Sequence, residues 1–105
     1  MSKNFVIETL KKIKTEQLTN KLLSTIGIII DATNPNRRDV KKDYCMRIRL
    51  TDPSANNEEL TVFLYAKNLS DFPVNLAIGD ILLVRNYVFE NSNGKLSCKK
   101  PFNSL

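Results

Sequence analysis

The sequence contains no histidine and no tryptophan, and it has only two cysteines and three glycines. Without histidine, zinc sites of the usual Cys/His types and histidine-based acid–base or triad catalysis are excluded. The glycines stand far apart, at Gly27, Gly79 and Gly94, so the chain lacks a Gly-rich phosphate-binding loop. These absences predict a binding module, with no catalytic residue, no metal site and no cofactor.

Long apolar runs are also missing. The longest lies near Ile26–Ile30, far too short to span a membrane, and Glu8 interrupts the N-terminus where a secretory signal needs an apolar core. We therefore expect a protein of the cytosol or nucleus without a membrane partner. In those compartments Cys45 and Cys98 are not expected to form a disulfide. A length of 105 residues suits one domain with a modest core.

Positive charge is concentrated in the first half of the chain. Residues 1–50 contain eleven Lys and Arg against five acids, whereas residues 51–105 contain five against six, for a net charge of +5. A basic cluster is typical of nucleic-acid-binding surfaces, although charge alone favours a merely solubilising surface. The clustered residues are Arg37, Arg38, Lys41, Lys42, Arg47 and Arg49.

Two segments, 43–52 and 58–68, alternate between apolar and polar residues as half-buried strands do. Successive strand side chains point to opposite faces, so parity divides each segment into a core side and an outer side. The core side would hold Tyr44, Met46, Ile48 and Leu50 from the first segment, and Leu60, Val62, Leu64 and Ala66 from the second. The outer side would then carry Arg47 and Arg49 beside Phe63 and Tyr65, which suits a ligand with phosphates and flat bases.

The remaining sequence predicts short elements. Residues 4–14 suit a short helix, Leu22–Ile30 reads as a strand that bends at Gly27, and 31–42 is predicted as a loop. A connector follows over 68–79, with one turn near Leu69–Phe72. The last predicted elements are a strand over Ile81–Glu90, a hairpin turn at 91–94 and a short strand over Leu96–Lys100.

Five strands in this order predict an all-β fold, the five-stranded oligonucleotide/oligosaccharide-binding (OB) barrel, with a short N-terminal helix or extension. We assign residues 1–20 to a partly helical extension and 21–105 to the barrel. OB folds bind ligands on the face of strands 2 and 3, between the 1–2 and 4–5 loops. Here those loops are 34–42 and 91–95, so arginines, aromatics and both loops fall at one site.

Several short motifs resemble one family. Asp43-Tyr44-Cys45, Leu50-Thr51-Asp52, the run from Leu60 to Tyr65, and Gly79-Asp80-Ile81 are similar in order and spacing to the first barrel of telomere end-binding proteins. That family comprises the protection-of-telomeres proteins and the ciliate alpha subunit. The likeness covers roughly residues 20–100.

The resemblance implies a nuclear protein at telomeres that binds the single-stranded, G-rich 3′ overhang, with other telomere-complex proteins as partners. It places a base-stacking aromatic at Tyr65 and basic loop contacts at Lys41 and Lys42. One departure is Glu90, an acid where relatives carry cations. The chain also stops after one barrel, so we expect a fragment of a longer protein or a small subunit. The predicted nucleic-acid-binding residues are Tyr65, Phe63, Arg47, Arg49, Lys41, Lys42, Arg38, Lys67 and Lys95.

The same residues also suit roles that involve no nucleic acid. The N-terminal segment or a partner chain could cover Phe63 and Tyr65, and the arginines could be a solvated outer face paired with Glu59. The alternative function is an OB-fold protein–protein interaction module within a telomere or replication complex. A third is a general nucleic-acid barrel without preference for the G-rich strand.

Overall fold

The computed structural model describes residues 7–18, 21–38, 43–52 and 58–100, without the side chain of Arg38. Within these residues one short helix precedes six strands, and a 3₁₀ turn at Leu69–Asp71 interrupts the connector between the fourth and fifth strands. The elements are α1 (Leu10–Thr15), β1 (Leu22–Ala32), β2 (Asn36–Arg38), β3 (Asp43–Asp52), β4 (Glu58–Ala66), β5 (Ile81–Ser92) and β6 (Lys95–Lys99).

The sheet closes on itself because β1 pairs with two strands. The first half of β1 lies antiparallel to β5, its second half lies antiparallel to β3, and Ile28 pairs with both Thr51 and Ile81. The order β1-β5-β6-β4-β3 then returns to β1, with a parallel pairing only between β4 and β6 among these neighbours. This arrangement confirms the predicted five-stranded OB barrel. Strand β2 is an addition at the free edge of β3.

Alternation in β3 and β4 builds the interior as predicted. Met46, Ile48 and Leu50 are buried, and they pair directly with Leu64, Val62 and Leu60 of the neighbouring strand. Because their Cα partners share a face of the sheet, all six side chains belong to the same interior. The buried core also includes residues from the other strands of the barrel: Ile29, Val84, Phe89, Leu96 and Cys98.

Gly27 lies at a close approach of two strands, and the predicted bend of β1 at this residue stays a prediction. A Cβ at this position would stand 3.0 Å from Leu50 Cβ and 3.1 Å from the Thr51 carbonyl oxygen. The register shifts on either side of the glycine, between Leu23 and Thr25 and between Ile29 and Asp31. Gly27 therefore allows β1 to lie close against β3, between the two register shifts of the strand.

The N-terminal helix runs over Leu10–Thr15. Of the helix predicted for residues 4–14, residues 7–9 are not helical and residues 4–6 lie outside the described residues. The side chain of Thr9 caps the helix by accepting a hydrogen bond from the Lys12 amide at 3.1 Å. Before the cap, Ile7 forms a bridge with Ser24 of β1, which makes this stretch extended. Leu10 and Ile13 are fully buried in the core. Within the described ranges, no helix has the length and apolar character that crossing a membrane requires.

Three further differences follow from local pairing. Part of the predicted 31–42 loop is strand, since β1 continues to Ala32 and β2 pairs with β3. Strand β4 ends at Ala66, short of residue 68, whereas the 3₁₀ turn confirms the predicted turn of the connector. In β5 an extra residue interrupts the ladder beside Ser24, where Asn86 has a φ of 60° and donates its amide to Ser24 Oγ at 2.9 Å.

Candidate nucleic-acid interface

The outward side chains of β3 and β4, here called the β3–β4 outer face, include two aromatic rings. Phe63 and Tyr65 lie two positions apart on β4, so both point outward. Their ring centroids are 6.5 Å apart and their planes differ by 12°. Tyr65 is 43% exposed, and Phe63 is half-buried. The two rings therefore offer nearly parallel flat surfaces on the outside of the barrel, as stacking on bases requires.

Basic side chains stand beside the rings. Arg47 of β3 pairs in register with Phe63, and both it and Lys67, just after β4, are exposed. Among the described residues, neither side chain makes an ion pair or hydrogen bond. The Arg47 backbone is fixed by Thr33, whose amide donates to the Arg47 carbonyl oxygen at 2.9 Å and whose hydroxyl accepts from the Arg47 amide at 3.0 Å. We call Arg47, Phe63, Tyr65 and Lys67 the aromatic end.

Arg49 has a different environment, two residues further along β3 on the same face. Its guanidinium lies 2.8 Å from Glu59 Oε1 and 3.6 Å from Asp31 Oδ2. The hydrogen bond to Glu59 raises the pKa of Arg49 above its usual value. The guanidinium is therefore charged, and the hydrogen bond fixes its position. Nearby, Glu58 forms a salt bridge with Lys14 of α1, whose Nζ lies 3.1 Å from Glu58 Oε2. We call Asp31, Arg49 and Glu59 the ion-paired end.

The β5–β6 hairpin borders this outer face from the other side. An open groove of about 350 Å³ runs between Phe63 and the hairpin, and its lining includes Lys95, Ser92 and Asn93. A second groove of about 450 Å³ lies along Arg49, Glu59 and Lys95. The two share Thr61, Lys95 and Leu96, so together they run between the hairpin and the outer face from Phe63 to Arg49. Lys95 is thus placed where a bound chain could reach it.

Lys99 belongs beside these residues, although the sequence did not single it out. In the parallel β4–β6 ladder it is the Cα partner of Phe63, which produces a row of Arg47, Phe63 and Lys99 across three strands. The Lys99 ammonium lies 4.0 Å from Glu90 Oε1, the acid that departs from the family pattern. Lys99 reaches Phe63 because β6 pairs in parallel with β4. The alternation of residues within a single strand cannot predict such a neighbour.

The predicted site residues therefore fall into three groups. The structure brings Arg47, Phe63, Tyr65 and Lys67 together at the aromatic end, with Lys95 across the groove. It places Arg49 in the ion-paired end. Lys41 and Lys42 lie outside the described residues, and of Arg38 only the backbone is described, opposite Asp43 in the β2–β3 ladder.

The described part of the N-terminal segment does not cover the rings. Leu10 and Ile13 turn into the core, and Ile7 lies beside β1. Phe5, which the sequence offered as another cover, lies outside the described residues. Tyr65 therefore keeps its exposed surface against this part of the chain.

Both cysteines are free thiols, as the sequence predicted. Burial raises the pKa of the Cys98 thiol well above its usual range. Among the residues that the structure describes, no group of three or more His, Cys, Asp or Glu side chains could hold a metal ion. The β3–β4 outer face carries aromatic rings, cations, hydroxyls and the carboxylate of Glu59.

The closed strand order and the loops around the β3–β4 outer face define an OB-fold domain. The chain belongs to the POT1/CDC13 family of telomeric single-stranded DNA-binding domains, since the model of that family matches residues 4–104. The match agrees with the resemblance seen in the motifs and covers almost the whole chain.

Solved structures support the fold independently. The chain is similar to the OB domain of Ta0387 from Thermoplasma acidophilum, with a TM-score of 0.58 and 15% sequence identity. That alignment covers 92% of this chain and 80% of the other. At this identity the likeness concerns the fold alone. None of the curated protein sequences matches this chain.

Proposed function

We propose that this domain binds the single-stranded, G-rich 3′ overhang of telomeric DNA and acts at telomeres in the nucleus, by binding and without catalysis. Family membership supports single-stranded DNA as the ligand. The preference for the G-rich strand and the residues that contact it are the proposal.

The observation that carries this proposal is the pair of nearly parallel rings on the outer face. Single-stranded DNA exposes flat bases, and stacking of a base on an aromatic side chain contributes about 1–3 kcal/mol. Tyr65 is the more exposed of the two rings and Phe63 offers the second. A purely solvated strand face gains nothing from two adjacent aromatics.

The cations receive complementary roles. Arg47 and Lys67 lie beside the rings without a described partner and would meet phosphates, and Lys95 would do so from the hairpin. Lys41, Lys42 and Arg38 belong to the 1–2 loop and its short strand, where we propose further basic contacts. Arg49, which the sequence also selected, is given no phosphate contact in this proposal, because Glu59 already accepts its hydrogen bond.

A titration tests this function. The domain is mixed with a G-rich telomeric strand, a scrambled strand of equal length and a duplex, each at two salt concentrations. The G-rich strand should bind most tightly, and four phosphate contacts would give a log–log salt slope of about −3.

Two variants locate the binding. Tyr65→Ala should weaken it by about 1–3 kcal/mol, whereas the matched control Tyr65→Phe keeps the ring and most of the affinity. Absence of salt-sensitive binding to any single strand would contradict the proposal, and equal binding to every single strand would support a general nucleic-acid barrel.

A second candidate function is protein–protein interaction within a telomere or replication complex. It is favoured by exposed aliphatic side chains on the outer side of β1 and β5, where Ile26 pairs with Leu83 and Ile81 is 70% exposed. Contiguous exposed apolar surface is typical of protein contacts. Stable co-purification of a protein subunit that Leu83→Asp abolishes, with no single-strand binding, would favour this function over the first.

A further inference from the structure

The two ends of the β3–β4 outer face differ in available positive charge. At the aromatic end, Arg47 and Lys67 have no ion pair among the described residues. At the ion-paired end, two carboxylates flank the only guanidinium. A chain of phosphates following the outer face would thus meet free cations at one end and compensated charge at the other.

The pairing of β3 with β1 and β4 places Arg49 between the two acids. Asp31 of β1 is the Cα partner of Arg49 in the β1–β3 ladder, and Glu59 lies diagonally across the β3–β4 ladder, two residues from the partner of Arg49, Thr61. Three adjacent strands therefore hold an acid, a base and an acid side by side. Asp31 is fixed in addition, because its Oδ1 accepts a hydrogen bond from the Ala32 amide at 2.9 Å.

The groove at the ion-paired end has positive and negative side chains in equal number. Arg49, Glu58, Glu59 and Lys95 line it, which gives two positive and two negative groups. A phosphate entering this groove would approach Glu59 as closely as it approaches Arg49. The other groove, beside Phe63, has Lys95 and no acid in its lining.

We propose that Asp31 and Glu59 hold Arg49 away from phosphate and thereby end the nucleic-acid track near Thr61. The inference rests on the proposed function and adds a boundary to it. Single-stranded DNA occupies the aromatic end and the groove beside Phe63, and it does not continue over the ion-paired end. Glu59 is accordingly a determinant of site length, although it does not contact the ligand.

The test compares a short G-rich strand of about 4 nucleotides with a longer one of about 10, within the range that OB folds occupy. Glu59→Gln removes the closer of the two acids and leaves Arg49 only the longer contact to Asp31, at 3.6 Å. It should bind the longer strand about 2- to 5-fold more tightly, as expected for one exposed charge pair, and leave the short strand unchanged. The log–log salt slope for the longer strand should steepen by about 0.7, equivalent to one more phosphate.

Two further variants separate release of Arg49 from a general change in charge. Glu16→Gln removes an exposed acid beyond α1 and should give no gain. In the double variant Glu59→Gln/Arg49→Gln the gain should disappear, because the released guanidinium is no longer there.

Each outcome is decisive. If the parent protein binds single strands but Glu59→Gln binds the longer strand no better, the boundary is wrong and the proposed function stands. If the gain persists in the double variant, the role given to Arg49 is wrong. If the parent protein binds no single strand, the proposed function fails and this inference fails with it.

Discussion

Two outer surfaces of the same barrel have different chemistry. The β3–β4 outer face presents guanidiniums, aromatic rings and carboxylates in alternating register. The outer side of β1 and β5, here called the β1–β5 outer face, presents Ile26, Ile28, Ile81 and Leu83. Both surfaces are built by strands whose other side fills one core. The comparison shows that the fold determines which side chains point outward, whereas the residue types determine what each surface can bind.

The largest expected effect comes from breaking the junction between the two faces. Gly27 lies where β1 passes from β5 to β3, and a larger side chain there would collide with Leu50 and the Thr51 carbonyl. Gly27→Val should lower the free energy of unfolding by about 1–3 kcal/mol, as overpacking does, measured by chemical denaturation. The matched control Ile26→Val, next in the chain but exposed, should change it by less than about 0.5 kcal/mol. Equal stabilities would show that the strands do not approach this closely.

The second effect concerns binding. Phe63→Leu removes a ring from the β3–β4 outer face but keeps apolar bulk, and we expect affinity for the G-rich strand to fall by about 1–3 kcal/mol in a fluorescence anisotropy titration. Leu83→Ala removes a comparable exposed side chain from the β1–β5 outer face and should leave affinity unchanged. Loss of binding in Leu83→Ala alone would reverse the assignment of the two faces.

A third prediction tests the buried core that lies between the faces. Burial raises the pKa of Cys98, so the folded protein keeps this thiol protonated at a pH where the unfolded chain ionises it. Stability should therefore be complete below the unfolded pKa and should fall above about pH 9, by at most about 1.4 kcal/mol per pH unit. Cys98→Val should show a shallower fall in pH-dependent denaturation. The same steepness in both proteins would mean that the thiol is not buried.

The smallest effect is that of a single cation. Arg47→Gln should reduce the magnitude of the log–log salt slope for the G-rich strand by about 0.7, with a few-fold loss of affinity. Lys11→Gln changes net charge equally but lies on α1, away from the face, and should leave the slope unaltered. If both variants shift the slope alike, net charge and not position governs binding.

The β3–β4 outer face could be predicted from sequence because its strands alternate cleanly. Arg47, Phe63 and Tyr65 fall on the opposite parity to Met46 and Val62, and the structure has the same division. The barrel could be predicted from the number and order of the strands. The turn near Leu69–Phe72 could be predicted because the connector is too interrupted for a long helix.

Several features of the fold could not be predicted, for physical reasons. Strand β2 is polar and exists through its pairing with β3, which local sequence does not encode. The run Ile28-Ile29-Ile30 does not alternate, so the exposed side of β1 was not evident. In β5 the extra residue near Asn86 interrupts parity and hides which residues face out.

The ion pairs of Arg49 show the same limit for the site. The sequence suggested Glu59 as a partner across the sheet, and the structure confirms that contact. It did not suggest Asp31, which is eighteen positions away and becomes a neighbour only when β1 closes the barrel on β3. Long-range register decides such contacts, and the same is true of Lys99 beside Phe63.

The most direct test of the central claim uses the absence of tryptophan from the chain. Tyr65→Trp and Leu83→Trp each introduce one fluorophore, the first on the β3–β4 outer face and the second on the β1–β5 outer face. Addition of a G-rich single strand should quench the tryptophan of Tyr65→Trp and saturate, because bases stack on that ring, and it should leave Leu83→Trp unaffected. A response of Leu83→Trp alone, or of neither variant under conditions where the strand binds, would contradict the account.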